Sequence, residues 1–177
     1  KVVTSTIDLN KLLPEIVDAA VKITHAEEGY IILVEDNKLV RRAYKKVTNS
    51  KAKATQEIVK DGIAMHVITS KDTVMLGPER LKRKSKTPNT PTSVLSVPLL
   101  VGDVILGALQ IITYSQSRKI FNKNDAIMLQ ALSDYASISI ENSRNYTALQ
   151  NSNEKIQDTF ERFVAPSVVQ KALAGDV

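Results

Sequence analysis

The chain has 177 residues, 43% of them apolar and 24% charged, so it can form one domain that buries roughly 70% of its unfolded surface. It contains no cysteine, which excludes disulfide scaffolds, thiolate metal sites, cysteine nucleophiles and thioether-attached chromophores. The net charge is +5, but five cations, Arg80, Lys82, Arg83, Lys84 and Lys86, fall in one seven-residue stretch, and outside it the charges balance.

The chain opens Lys1-Val2-Val3, with neither an initiator methionine nor a signal-like apolar region, which predicts a piece of a longer protein. Leu9, Leu12, Leu13, Ile16, Val17, Ala20 and Val21 recur at helical spacing behind Asp8 as N-cap, predicting a helix over 8–24 with a kink or fresh start at Pro14. Tyr30 to Glu35 reads as a strand, Asp36-Asn37 as a turn, and Leu39 to Lys46 as the antiparallel partner. The polar stretch Val47 to Gln56 reads as a loop. Residues 57–70 suggest two short helices, or a turn at Asp61-Gly62 followed by one helix. A short strand follows at Thr73 to Leu76.

The basic, proline-containing run 77–92 is expected to be a long loop, because like charges repel and Pro88 and Pro91 oppose a helix. It has only Leu81 and Ser85 between its cations, whereas nucleic-acid readers interleave aromatic residues for stacking, so no nucleic-acid partner is expected. The apolar stretch Val94 to Ile112 has the length of a membrane span. Pro98, Gly102, Asp103 and Gln110 interrupt it, however, and Gly102-Asp103 is turn chemistry between two β-branched runs. This predicts a buried hairpin, Ser93 to Leu100 with Val104 to Tyr114, in a soluble, cytoplasmic protein without membrane contact.

From Asn122 to about Val164 the helical pattern meets no proline or glycine, giving a helix of about 65 Å that exceeds what one small domain covers. Leu132, Tyr135, Ser139, Asn142, Tyr146, Leu149, Asn153, Ile156, Phe160 and Phe163 follow the alternating four-three spacing of a coiled-coil seam, with Asn153 as a register-fixing polar position. Such a seam predicts a homodimer. The heptads stop at Ala165-Pro166.

Five ordered blocks carry a family likeness: Gly62 to Ser70, Ser93 to Leu99, Gly107 to Gln110, Phe121 to Asp125 and Ile138 to Asn142. Together they resemble a GAF domain over residues 7–146. The resemblance implies an α+β fold, with a central antiparallel sheet of about six strands flanked by the N- and C-terminal helices. It also implies a small-molecule pocket on the other sheet face, capped by the variable loop, and parallel dimers joined through the terminal helices. The last helix would extend into a parallel coiled coil. The organisation expected is 1–141 as the sensory domain, 142–164 as the coil and 165–177 as the start of a linker to an effector.

Asp158 to Leu173 resembles the segment leading into class III nucleotide cyclase domains, which implies a full-length adenylate or guanylate cyclase although this fragment lacks the catalytic fold. The free-methionine sulfoxide reductase type of GAF domain and covalent bilin attachment both need cysteine and are excluded. Haem is disfavoured because His66, on a predicted helix flanking the pocket, reads as a packed or surface histidine. Cyclic-nucleotide-binding GAF domains carry an Asn-Lys, Phe, Asp-Glu signature with a Lys–Asp ion pair. Here Phe121 and Asp125 are kept, while Thr113-Tyr114 and Ala126 depart from it, so no cation is expected beside Asp125.

Strand alternation puts Tyr30, Ile32 and Val34 on one face, and Val94, Ser96 and Pro98 on one face of the later strand. Tyr30, Ile32, Ser96, Gln110 and Thr113 are the candidate ligand contacts, and Arg80, Lys82, Arg83, Lys84 and Lys86 a candidate lid for an anionic ligand. No catalytic pair and no metal-ligand spacing is present. The cofactor, if one is bound, stays unnamed. Two function classes remain: a sensory input module for a C-terminal effector, and a dimerisation spacer whose pocket is filled by its own side chains.

Overall fold

The computed structural model describes residues 8–84, 90–114 and 119–163. The chain divides after Glu141: Ile7–Glu141 is one unit, and the stretch from Asn142 belongs to another.

Helix α1 (Leu9–Thr24) is capped by Asp8, whose side chain accepts from the Asn10 N–H, and it ends at His25 in the left-handed region, φ 56°. Pro14 lies inside this helix, which neither breaks nor restarts there. Its missing N–H removes one bond, but Leu13, Pro14, Ile16, Val17 and Ala20 are all buried, and this anchoring outweighs the loss. Strands β1 (Glu28–Glu35) and β2 (Lys38–Lys45) form the expected hairpin. Asp36 and Asn37 both have positive φ, 51° and 60°, as a two-residue turn matched to strand twist requires.

The expected loop, Val47 to Gln56, holds over 47–52 and is corrected over 53–56. Strand β3 (Lys53–Ile58) pairs antiparallel with β2. Every residue of β3 except Thr55 is exposed, so this edge strand has no buried face to give it an alternating pattern. Helix α2 (Gly62–Ser70) follows, N-capped by Asp61, and it is the single helix of the second alternative. The short strand β4 (Val74–Leu76) is as expected.

The basic run is also corrected, because Pro78–Lys84 is a helix, α3. Pro78 occupies its first position, where a missing N–H costs nothing, and Glu79 favours the N-terminal dipole. Leu81, 6% exposed, ties α3 to the core. The long hairpin β5 (Pro91–Val101) and β6 (Val104–Tyr114) turns at Gly102, φ 59°. Helix α4 (Lys123–Phe163) runs for 41 residues.

The six strands form one antiparallel sheet in the order β3-β2-β1-β6-β5-β4. Gly107 lets β6 lie against β1, since a Cβ there would stand 2.0 Å from the Ile32 carbonyl oxygen. One face carries the larger core, where Leu13, Val17 and Ala20 of α1 and Leu129, Ala136 and Ile140 of α4 meet Ile31, Leu33, Leu95, Leu109 and Ile111. The other face carries a separate cluster of Tyr30, Ile32, Val94, Ala108 and Ile112 under Ala64, Val67 and Ile68 of α2 and Leu81 of α3.

The start of α4 overturns one expectation. Lys119 Nζ lies 3.1 Å from Asp125 Oδ2, so this chain does supply a cation to that aspartate. Asn122 and Asp125 also exchange hydrogen bonds, Asn122 N to Asp125 Oδ2 at 2.9 Å and Asp125 N to Asn122 Oδ1 at 3.1 Å, closing a capping box.

Candidate functional site

Antiparallel register builds a row of directly opposed residues across five strands: Tyr44, Tyr30, Gln110, Ser96 and Val74. Opposed residues share a sheet face, and this is the α2/α3 face. The alternation in the sequence therefore brings Tyr30, Ile32, Gln110 and Ser96 together. Thr113 does not join them: it lies three residues from Gln110, on the opposite face with Leu109 and Ile111. It is opposed to Ser93, and its hydroxyl donates to the Lys119 carbonyl at 2.8 Å.

Tyr30 is a wall of this site whose hydroxyl is already engaged. It donates to Glu28 Oε2, the same oxygen that accepts from the Tyr114 hydroxyl at 3.2 Å. The Arg41 guanidinium lies 4.5 Å from the centroid of the Tyr30 ring, and its Nη1 pairs with Glu57 at 3.2 Å. Burial, reinforced by the Glu28 charge and hydrogen bond, holds the Tyr30 hydroxyl far above the ordinary tyrosine value. Burial and then the Glu28 charge push Tyr114 up to about 12. Both phenols therefore serve as neutral donors to a buried carboxylate.

Asp61 joins α2 to the sheet. Its Oδ1 accepts from the N–H groups of Ile63 and Ala64 at 3.1 and 3.0 Å, and its Oδ2 accepts from Gln110 Nε2 at 3.1 Å. Two atoms of the row remain without a partner, Gln110 Oε1 and Ser96 Oγ, both buried. Leaving such an atom unsatisfied costs about 1–3 kcal/mol. An open cleft of about 950 Å³ lies between α2, β4 and α3, lined by Lys60, Asp61, Ile63, His66, Val74, Leu76 and Arg80 among others.

Of the candidate lid, Arg80 is exposed and lines this cleft. Lys82, Arg83 and Lys84 belong to α3, and Lys86 lies outside the described residues. His66 is exposed on α2. Among the described residues, no three His, Asp or Glu side chains converge to hold a metal ion. No helix of the described residues is long and apolar enough to cross a membrane.

Sequence reasoning missed Glu28, Arg41 and Asp61. Asp61 had a signal, an aspartate one residue ahead of a helical pattern, which marks a cap as readily as a turn. Arg41 could have been placed by extending the alternation of β2, since it is opposed to Ile32. Glu28 had one too, since strand parity puts it on the face of Tyr30 two residues on, although the expected strand began only at Tyr30; its second partner, Tyr114, lies 86 positions away and had none.

The fold has known counterparts. The GAF-B domain of DevS from Mycobacterium smegmatis superposes with a TM-score of 0.62 at 15% identity, over 80% of this chain and 99% of that one. The GAF domain of a phosphoenolpyruvate-protein phosphotransferase from Coxiella burnetii gives 0.66 at 16% identity, over 81% and 89%. A type II free methionine-R-sulfoxide reductase from Thermoplasma acidophilum gives 0.58 at 15%, over 75% and 92%. A search of curated protein sequences returned no match. The family profile described as GAF domain matches residues 6–141, and the chain belongs to that family.

Proposed function

We propose that residues 1–141 are a cytoplasmic small-molecule sensor, which signals through a parallel coiled coil over 142–164 and a linker from 165 to a C-terminal effector. The observation that carries this reading is the separation of the two sheet faces. One face is packed by α1 and α4, while the other holds its own smaller cluster beside an open cleft. A ligand on the second face can act on the sheet, and the sheet packs directly on α4, which continues toward the effector. Tyr30, Ile32, Ser96 and Gln110 are the contacts assigned to the pocket, and Arg80 stands at its cleft.

The likeness of Asp158 to Leu173 to a cyclase entry segment supports a nucleotide cyclase, making cyclic AMP or cyclic GMP, as the effector; residues 164–173 of that segment lie outside the described residues. The parent gene beyond Val177 decides it: a cyclase domain supports the assignment, and a kinase, phosphatase or DNA-binding domain refutes it. For the sensor itself the test is a thermal-shift screen of small molecules against the 177-residue chain. A ligand that raises the melting temperature in proportion to its concentration supports sensing. A chain stabilised by none is the dimerisation spacer of the second reading. The Lys119–Asp125 ion pair keeps a cyclic-nucleotide-binding GAF domain as a further alternative, so cyclic AMP and cyclic GMP belong in the screen.

A further inference from the structure

We propose that the ligand of this pocket meets the sheet through a neutral edge bearing an N–H beside a carbonyl, as in a lactam or carboxamide, and not through an anionic group. The inference rests on the reading of this face as a ligand pocket.

The start of α2 is where an anion would ordinarily be held, because helix N-termini present free N–H groups and a positive dipole. That position is filled. Asp61 Oδ1 takes the N–H groups of Ile63 and Ala64, so a phosphate brought there would face a carboxylate. Lys60 and Arg80 are exposed around the cleft, and Arg41, the cation beside Tyr30 in the row, is already paired with Glu57.

Asp61 also fixes the chemistry of Gln110. Its Oδ2 accepts from Gln110 Nε2 at 3.1 Å, and turning the amide over would aim a carbonyl at the carboxylate. Gln110 Oε1 is thereby held as an acceptor, and it has no donor. Ser96 is directly opposed to Gln110 on the neighbouring strand, and its hydroxyl, buried completely, has no partner either. Opposed residues on antiparallel strands stand roughly 5 Å apart at Cβ, within reach of one small polar edge. An N–H donated to Gln110 Oε1 and a carbonyl accepting from Ser96 Oγ satisfy both. Ala64, Val67, Leu76 and Val94 are buried around the row and suit a flat, otherwise apolar body. Gln110 and Ser96 do not themselves line the open cleft; its wall ends at Asp61, which is bonded to Gln110, and at Val74, which is opposed to Ser96, so a ligand must pass these two side chains to reach the row.

The experiment titrates the 177-residue chain by calorimetry and thermal shift with uracil, hypoxanthine and 2-piperidone, each beside its N-methylated counterpart, and with toluene as an apolar probe. The expected result is that at least one N–H probe binds on the order of tenfold tighter than its methylated form, the loss of one hydrogen bond to a buried acceptor. Gln110→Met should reduce that ratio, and Ser96→Ala should weaken both forms, while the circular dichroism spectrum stays unchanged. Equal binding of the two forms, or binding of toluene alone, overturns this inference and leaves the pocket reading standing. If no probe binds and both variants raise the melting temperature, the row is closed core, bridged by a water at most, and the pocket reading falls with it.

Discussion

Asp61 and Asp125 stand at the starts of two helices, each with a carboxylate that takes part in the cap and also holds a second partner. Asp61 is the N-cap of α2 and binds Gln110; Asp125, in the first turn of α4, accepts from the N–H of the N-cap Asn122 and binds Lys119. We expect Asp61→Ala to destabilise the domain by about 2 kcal/mol in urea denaturation, because it uncaps α2 and strands the Gln110 amide. Asp61→Asn should stay within about 1 kcal/mol of the parent, since the Asn oxygen keeps the cap while its NH₂ donates to a turned-over Gln110. Equal losses in both variants would show that the negative charge, and not the hydrogen-bond pattern, is what α2 requires. The tyrosines predict a pH effect. With native values raised above the ordinary value near 10, Tyr30 and Tyr114 bind more protons folded than unfolded at alkaline pH. Their contribution is thus complete below pH 10, and that of Tyr114 is lost as pH rises through about 12, while that of Tyr30 persists to higher pH. Denaturation midpoints measured from pH 8 to 12 should fall at the alkaline end, and Tyr114→Phe should flatten that fall.

At the level of elements, the sequence reports what is buried and says little about what is not. Helix α1, the β1–β2 hairpin, the β5–β6 hairpin and α4 were legible because each buries a face and so carries a period. Strand β3 was not, because only Thr55 of its six residues escapes full exposure, and its pairing with β2 comes from the sheet edge it completes. Helix α3 was masked by its own charge: one buried leucine among cations gives no stripe to read, although Pro78 followed by Glu79 is a fair start signal. In the site, Ser96 followed from strand parity; Gln110 and Thr113 were candidates together as polar residues of β6, where parity keeps the first and excludes the second. The cation beside Asp125 escaped because it was sought at 113–114, while Lys119 is the residue that reaches Asp125 in space. If α3 is held by Leu81 alone, Leu81→Ala should cost about 2 kcal/mol and speed amide exchange in α3 before β5. Unchanged exchange there would mean that the helix is secured by other contacts.

The largest unit of the argument is the dimer, and it turns on which seam residues the domain itself uses. Leu132 packs against the domain's own core, and Ser139 is buried with its hydroxyl donating to the Tyr135 carbonyl at 2.9 Å. Those two positions serve the monomer. Farther along, Leu149, Ile156 and Phe160 are 62%, 65% and 49% exposed, and their seven- and four-residue separations put them on one stripe of α4. Covering one such side chain is worth about 1.5–3 kcal/mol, so three per chain on two chains give a paired helix a substantial driving force. Asn153 sits between them at a seam position, where an amide favours one register over its slipped neighbours at some cost in affinity. Light scattering of the 177-residue chain at roughly tens of micromolar should therefore return the mass of a dimer. Leu149→Glu combined with Ile156→Glu should give a monomer with the same melting of the 1–141 domain, as should truncation after Glu141. A monomeric parent chain would end the coiled-coil reading, and with it the proposed route from pocket to effector. A dimer that survives the double substitution would instead place the contact on the exposed face of the domain helix, at Ile127, Tyr135 and Ile138.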